Sequence, residues 1–443
     1  MFLDLNLFMV GKRIPLRGEN RMKRGFMKVV SVLAVFALFL SLAACSSKSS
    51  SSADGKITLK VLDWNTTNKK EAQKAMVESV KKELPNVTLQ FENINWDKDF
   101  NSVMQTRIAG KQLPDIIMIK GGDHPKYAQF LMNLTNEPFM KEFPDDVRKA
   151  LKVNGKDYAV PYTANFQGVF YNKQIFEENN IQIPKTWAEL MEVAKTLKAK
   201  GITPFTSHFK DYQMGNSANQ FATLEVFSKY PEWGSDLQKG KVSFAKSPEY
   251  KTTFQHFKDL YENTEKDPFG VDFTGAADLF ANGKTAMWII GTWAPAQIFK
   301  NNPDFKLGFF PTPAIDAENT KLIMQSDYTW SASKATEHPK EVKKVLEILA
   351  TDKSLAKEYI NQVQTQSLLT DVVPDVQSDY VNDINTAKNA GVIDANIGNV
   401  QIPWPYQQQY TTYIAEWLLG KKTLDEALKA TDDFKSKVKF QTN

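Results

Sequence analysis

The stretch "LFANGKTAMWIIGTW", residues 279–293, indicates how this chain is built. Its middle part, "TAMWII", is an apolar run typical of a buried strand. Gly291 ends the run, and Pro295 follows where the first turn of a helix tolerates proline. Trp293 is therefore expected at the carboxyl end of a strand, the edge of an open α/β sheet that faces the ligand crevice. Free N–H groups at such a helix start suit a sugar hydroxyl or an anion.

The segment after residue 55 predicts a parallel sheet. "KITLKVLDW" (56–64) and "NVTLQFEN" (86–93) alternate apolar and polar residues, and "PDIIMIKG" (114–121) is a short apolar run. Helical stretches separate them, the first ending at Pro85 and the second running from about 97 to 109. Strands that alternate with helices predict an α/β fold with right-handed crossovers. The length of the chain favours two domains.

The N-terminal segment is typical of a secretory leader. Residues 22–28 are basic, residues 29–44 are almost wholly apolar, and "LAAC" ends at Cys45, the only cysteine. This arrangement resembles the lipobox of bacterial lipoproteins, in which the cysteine receives a diacylglyceryl group; the alternative is an ordinary signal with a chance cysteine. We expect a signal peptide over 1–44, whose true start is Met22 or Met27, and a lipidated, serine-rich tether over 45–55.

Composition excludes several classes of protein. Seven of the 55 basic residues but only two of the 51 acidic residues lie in the leader, so the remaining chain is nearly neutral. Nothing in it predicts binding to nucleic acid. After Cys45 there is no cysteine, hence no disulfide and no thiolate metal site. No zinc-protease signature occurs, and neither a metal nor a cofactor is predicted.

Three segments in order resemble one family: "PYTANFQGVFYNKQIF" (161–176), "PKTWAEL" (184–190) and the stretch at 279–293. They are similar to the extracellular solute-binding proteins of ABC importers, in the carbohydrate-binding family that includes maltose-binding protein. The resemblance implies a two-lobed, periplasmic-binding-protein-like α/β fold with a ligand cleft between the lobes, which are joined by crossing strands. It implies lobes over 56–163 plus 311–360 and over 166–306 plus 366–443. The crossings are expected near "YTANF", "KLGFFP" and "NQVQTQ".

Aromatic and polar residues near strand ends and turns are the candidate ligand contacts. Aromatic rings cover the apolar face of a sugar, and carboxylates and amides pair with its hydroxyls. Packing is the alternative for each tryptophan and tyrosine, and it is the prediction for Trp187 and Trp417. A solvated turn is the alternative for Asp123, where paired glycines let the backbone approach closely. The candidates are Trp293, Trp64, Asn65, Asp123, Tyr162, Trp233, Asp327, Trp404 and Tyr406.

These observations predict a receptor. It would be a lipid-anchored monomer on the extracellular face of a Gram-positive cell membrane that captures a carbohydrate and delivers it to the permease subunits of an ABC importer. The same aromatic and polar side chains would also bind some peptides. The alternative is a secreted glycoside hydrolase, which needs two opposed carboxylates, but no motif selects such a pair. An adhesin would favour many short strands. We therefore expect no catalysis in this chain.

Overall fold

The structure is a computed structural model that describes residues 55–64, 69–363, 365–369, 371–375, 379–395, 402 and 404–438. The predicted leader, Cys45 and the serine run lie outside the described residues, as does Asn65. No helix in the described part of the chain is long and apolar enough to span a bilayer.

The first sheet has the strand order β2-β1-β3-β10-β4. β1 pairs in parallel with both β2 and β3, as the sequence pattern predicts, whereas β10 runs antiparallel to β3 and β4. The strands are β1 (Ile57–Trp64), β2 (Val87–Ile94), β3 (Ile116–Lys120), β4 (Val160–Pro161) and β10 (Tyr328–Ala332).

Apolar layers cover both faces of the first sheet. Leu59 and Val61 pack with Ala72, Met76 and Val80, which share one face of the helix that follows β1. On the other face of the sheet, side chains of β1 and β3 pack against the helix that follows β2. Burial on both faces explains why β3 is a continuous apolar run rather than an alternating one. We call this sheet with its helices lobe one.

The second sheet, with its helices called lobe two, is built around a long central strand. Its order is β12-β9-β5-β7-β6, and β8 and β11 also pair with β5. Gly168 of β5 lies under the ring of Phe309, so that any larger side chain would clash there. The strands are β5 (Thr163–Asn172), β6 (Thr203–Phe205), β7 (Thr285–Gly291), β8 (Leu307–Phe310), β9 (Leu322–Ser326), β11 (Gln366–Ser367) and β12 (Val392–Asp394).

Sixteen α-helices surround the sheets in the described residues. Thr186 caps α6 by accepting a hydrogen bond from the Glu189 amide at 3.2 Å. The helices are α1 (Lys69–Glu83), α2 (Trp96–Ala109), α3 (His124–Tyr127), α4 (Asp145–Leu151), α5 (Lys173–Glu178), α6 (Trp187–Ala199), α7 (Gln213–Ala222), α8 (Trp233–Gln238), α9 (Pro248–Glu262), α10 (Phe273–Ala281), α11 (Ala294–Asn301), α12 (Pro339–Thr351), α13 (Lys353–Val363), α14 (Asp379–Ala390), α15 (Trp404–Leu418) and α16 (Leu424–Phe434).

The chain crosses between the sheets at three places, two of them as predicted. It passes from β4 to β5 at Tyr162, within "YTANF", and from α13 to β11 between Val363 and Gln366, within "NQVQTQ". The third prediction, near "KLGFFP", is wrong. β8 and then β9 return antiparallel to β5 and stay in the second sheet. The chain crosses at Asp327 instead, so residues 311–326 of the predicted first lobe do not follow the first sheet.

Candidate functional site

Trp64 ends β1 close to a chain crossing. Its indole N–H donates to the Met118 carbonyl at 3.2 Å, and its ring meets the Tyr328 ring edge-on at 4.7 Å. The Lys120 ammonium lies 5.5 Å from the centre of the indole. The residue is only 3 % exposed, so the structure packs most of this predicted ligand contact inside lobe one.

A buried charge pair lies beside Trp64, and sequence reasoning missed it. Asp63 is fully buried, and its carboxylate meets the Lys69 ammonium at 3.1 Å and accepts a hydrogen bond from Gln73 at 2.8 Å. It also accepts the Trp64 amide N–H at 2.7 Å. Burial lowers the pKa of Lys69, and the neighbouring Asp63 opposes that shift. Lys69 belongs to an ordinary amphipathic helix pattern, so no sequence signal sets it apart.

Asp123 lies in the turn that follows β3, where the carboxyl ends of parallel strands meet. Its carboxylate pairs with Lys126 at 2.5 Å. The turn needs glycine at residue 121, because a Cβ there would come within 2.5 Å of the Ser326 carbonyl oxygen. The backbone before Asp123 therefore touches the end of β9, next to the crossing at Asp327, as the paired glycines suggest.

The crossing residues Tyr162 and Asp327 differ in exposure. Tyr162 is buried, with its ring 4.9 Å from that of Tyr359, so the structure makes it a core side chain of lobe one. Asp327 is partly exposed; its amide donates to the Thr163 carbonyl at 2.9 Å and its carboxylate accepts from Asn165 at 2.9 Å. Burial raises the pKa of Asp327, against the opposing effects of Lys120, Asn165 and Lys69.

Trp293 follows β7 and directly precedes α11, as predicted. The Thr292 amide donates to the Phe166 carbonyl at 2.9 Å, which places this turn three residues along β5 from Thr163, the first residue after the crossing at Tyr162. The indole folds back over Gly291, where a Cβ would clash with the ring. Its N–H donates to the hydroxyl of Tyr212 at 3.2 Å. The side chain is half-buried, which leaves part of the ring accessible.

Tyr212 forms the second half of this aromatic pair and was not predicted. It is 45 % exposed, so its ring is accessible beside a cluster of rings. His208 supports it, with ring centres 5.1 Å apart, and Asp211 bridges the His208 imidazole to the Phe273 amide at 2.7 Å. Burial lowers the pKa of His208, against the opposing effect of Asp211. The pairing of Tyr212 with Trp293 joins residues 81 positions apart, which no local pattern shows.

Two other predicted contacts are core residues of lobe two. Trp233 is 2 % exposed and packs between the rings of Phe244 and Tyr250, at 4.9 and 4.4 Å. Tyr406 is fully buried and donates its hydroxyl to the Thr431 carbonyl at 2.7 Å. Tyr406 lies in helix α15, which begins at the candidate Trp404, because Pro405 occupies a first-turn position rather than breaking the chain. The side chain of Trp404 lies outside the description.

The two tryptophans predicted to pack do so. The Trp187 indole N–H donates to Asp259 at 2.8 Å and its ring lies 3.8 Å from that of His256. Trp417 packs against the core of lobe two. Among the described residues, no three histidine, cysteine, aspartate or glutamate side chains come together in a way that could hold a metal ion.

Comparison with known proteins identifies the class of this chain. The model of the bacterial extracellular solute-binding protein family matches residues 64–356, and the chain belongs to that family. The family is one of binding proteins, so the hydrolase alternative is set aside.

Two relatives with similar sequences are sugar-binding proteins. The multiple sugar-binding protein of Streptococcus mutans is 27 % identical over 352 residues, which cover 76 % of this chain and 80 % of the relative. The melibiose/raffinose/stachyose-binding protein MelE of Bacillus subtilis is 26 % identical over 375 residues, 81 % of this chain and 84 % of the relative.

Solved structures confirm the fold. The apo form of RafE from Streptococcus pneumoniae superposes with a TM-score of 0.73 at 22 % identity, over 86 % of this chain and 98 % of RafE. An open conformation of the binding protein MsmE from Bacillus subtilis gives 0.77 at 21 % identity, over 87 % and 98 % of the two chains. The predicted α/β architecture of this class is therefore correct.

Proposed function

We propose that this protein captures an oligosaccharide outside the cell membrane and presents it to the permease subunits of an ABC importer. The observation that carries the proposal is the Trp293–Tyr212 pair, an accessible aromatic surface beside a chain crossing. The sugar-binding relatives support the same ligand class. The matches to MelE and to the multiple sugar-binding protein cover most of the length of each relative.

The chemistry of a sugar fits the groups around the crossings. A pyranose has an apolar C–H face, which Trp293 and Tyr212 would cover. Its hydroxyls need donors and acceptors. The partly exposed carboxylate of Asp123 and the ammonium of Lys120 would supply them from lobe one, and the carboxylate of Asp327 would do so from a crossing. Of the predicted contacts, Trp64 would add only an edge, because it is nearly buried.

The three crossings would act as the hinge of this receptor. Short backbone crossings absorb rotation while each sheet stays rigid, so the two lobes would close around a bound sugar. The ligand would favour the closed form because only that form lets groups of both lobes touch it. The protein would work as a monomer, without catalysis and without a bound cofactor.

The anchor belongs to the same proposal. Cys45 would carry the lipid, residues 1–44 would be removed as a signal peptide, and the serines after Cys45 would give the receptor reach from the membrane of a Gram-positive cell. Cys45→Ser should leave binding unchanged and move the protein from the membrane fraction to the medium. Continued fractionation with membranes would contradict the anchor alone, not the receptor.

Calorimetric titration of the purified protein tests the ligand class. Raffinose, stachyose and maltotriose should be compared with a tripeptide, and every sugar should be recovered intact by mass spectrometry. We expect saturable one-to-one binding of at least one oligosaccharide. Binding of the tripeptide alone would point to a peptide receptor, and sustained cleavage of a sugar would restore the hydrolase alternative.

A further inference from the structure

Each chain crossing is associated with a buried tyrosine of lobe one. Tyr162 immediately precedes β5, Tyr328 immediately follows Asp327, and Tyr359 lies in the last turns of α13 before the third crossing. The rings of Tyr162 and Tyr359 are 4.9 Å apart, and those of Tyr328 and Tyr359 are 6.4 Å apart. The three crossings therefore meet at one aromatic cluster.

The ammonium of Lys69 lies in this cluster. It donates to the Tyr359 hydroxyl at 2.6 Å and lies 4.3 Å from the centre of the Tyr328 ring, a cation–π distance. Its other partner is the Asp63 carboxylate at 3.1 Å. The Lys69 side chain thus contacts Asp63 at the end of β1, Tyr328 at one crossing and Tyr359 before another. Tyr359 in turn contacts Tyr162 at the remaining crossing.

A buried pair of this kind is weak evidence for a gain in the stability of the fold. Lys69 is 4 % exposed and Asp63 is fully buried, so both charges have lost their water. Replacement of a buried ion pair by apolar groups of similar volume is commonly neutral or stabilising. An apolar replacement of the pair would lose the specific geometry of its polar contacts.

We infer that Lys69 is a positioning residue that couples the end of β1 to the three chain crossings. Displacement of Trp64 shifts Tyr328, which its ring contacts at 4.7 Å, and shifts Asp63, which accepts its amide N–H. Lys69 receives both shifts and transmits them to Tyr359. Any effect of Lys69 on ligand affinity rests on the proposed function, whereas its coupling to the crossings does not.

Hydrogen–deuterium exchange of the ligand-free, full-length protein tests the coupling. The amides of Tyr162, Asp327 and Leu368 donate across the crossings, to Tyr328, Thr163 and Tyr162, at 2.9, 2.9 and 3.1 Å. Lys69→Met should speed exchange of these amides by at least about tenfold, because local opening is no longer opposed by the central cation. Exchange in the core of lobe two should stay unchanged.

A double variant separates positioning from stability. Asp63→Asn with Lys69→Met leaves no unpaired buried charge, so the melting temperature should return toward that of the native protein while the crossing amides still exchange fast. If Lys69→Met does not fold, the double variant and the milder Tyr359→Phe, which removes only the hydroxyl acceptor, decide the matter. Native-like exchange at the crossings in both would overturn the inference.

Glu225→Gln is the matched control. It weakens another buried pair, in which Glu225 lies 3.1 Å from His256 in lobe two, without touching the tyrosine cluster. It should leave the crossing amides as they are, and acceleration equal to that of Lys69→Met would contradict the coupling. Raffinose titration is separate: failure of the native protein to bind any sugar would reject the proposed function, while the exchange result would still decide on Lys69.

Discussion

The two lobes use different interactions to hold the aromatic residues that lie near the chain crossings. In lobe one, Trp64 is packed and is held beside a buried ion pair that also reaches the crossing residues. In lobe two, Trp293 and Tyr212 remain accessible, joined by one neutral hydrogen bond and supported by ring contacts. Under the proposed function the difference gives the two edges separate tasks. Lobe two would offer stacking surface for affinity, and lobe one would offer charge and fixed geometry beside the proposed hinge.

The largest expected effect is on affinity in lobe two. Trp293→Ala should weaken raffinose binding by at least about tenfold, since loss of an aromatic anchor costs ~2 kcal/mol or more. The melting temperature without ligand should change little, because the indole is half-buried at an edge. Calorimetric titration beside a melting curve measures both.

Trp233→Ala is the contrasting variant for that experiment. Its indole is buried in the core, so truncation should cost ~3–5 kcal/mol of folding stability. In the fraction that folds, affinity should stay native. Unchanged affinity in a well-folded Trp293→Ala protein would remove the stacking task from lobe two and make the two edges alike.

A smaller effect should follow from the hydroxyl of Tyr212. Tyr212→Phe keeps the ring and removes the acceptor for the Trp293 N–H, a hydrogen bond typically worth ~0.5–1.5 kcal/mol, so raffinose affinity should fall by about two- to tenfold. Tyr230→Phe is the control, because this exposed tyrosine of lobe two bonds Asp236 instead. Equal affinities of the two variants would mean that the hydrogen bond does not order the pair.

The smallest effect should appear in lobe one as a pH dependence. Burial raises the pKa of Asp327, so the fold favours its protonated form, and this contribution to stability is lost as pH rises through the folded pKa. Asp327→Asn should therefore be slightly more stable than the native protein at about pH 7, and the gap should narrow at about pH 4. Urea unfolding at both values measures it; a constant gap would show that ionisation of Asp327 is not responsible.

Local patterns predicted the strands well but not their sheet membership. β1, β2, β3 and β7 form where the sequence indicates them, because alternation and apolar runs report burial directly. The lobe bounds that the resemblance implies place β9 in the first lobe, but β9 pairs with β5 of the second sheet, because the partner of a strand depends on contacts far along the chain. The same limit applies to sites. Trp293 has a local signal, strand then helix, whereas Tyr212 and Lys69 acquire their positions only from distant partners.

Aromatic residues near prolines misled the site prediction for a physical reason. Trp404 and Tyr406 lie in "PWPYQQQY", whose prolines favour a loop that presents side chains, but proline is equally suited to the first turn of a helix, where its missing N–H costs nothing. The helix then directs Tyr406 into the core. Trp233 likewise begins a short helix and inserts between two rings.

The central place of β5 has a consequence for biogenesis. Its partners include β9, β11 and β12, so the second sheet cannot close until residues up to 394 have been made, and the first sheet waits for β10 at 328–332. Pairing across such long separations makes folding slow, because loop-closure entropy must be met before the contacts form. A chain synthesised from its N-terminus therefore completes neither sheet until most of its residues have been made. With the predicted leader, such a delay would keep the chain in the unfolded form that a secretion channel passes.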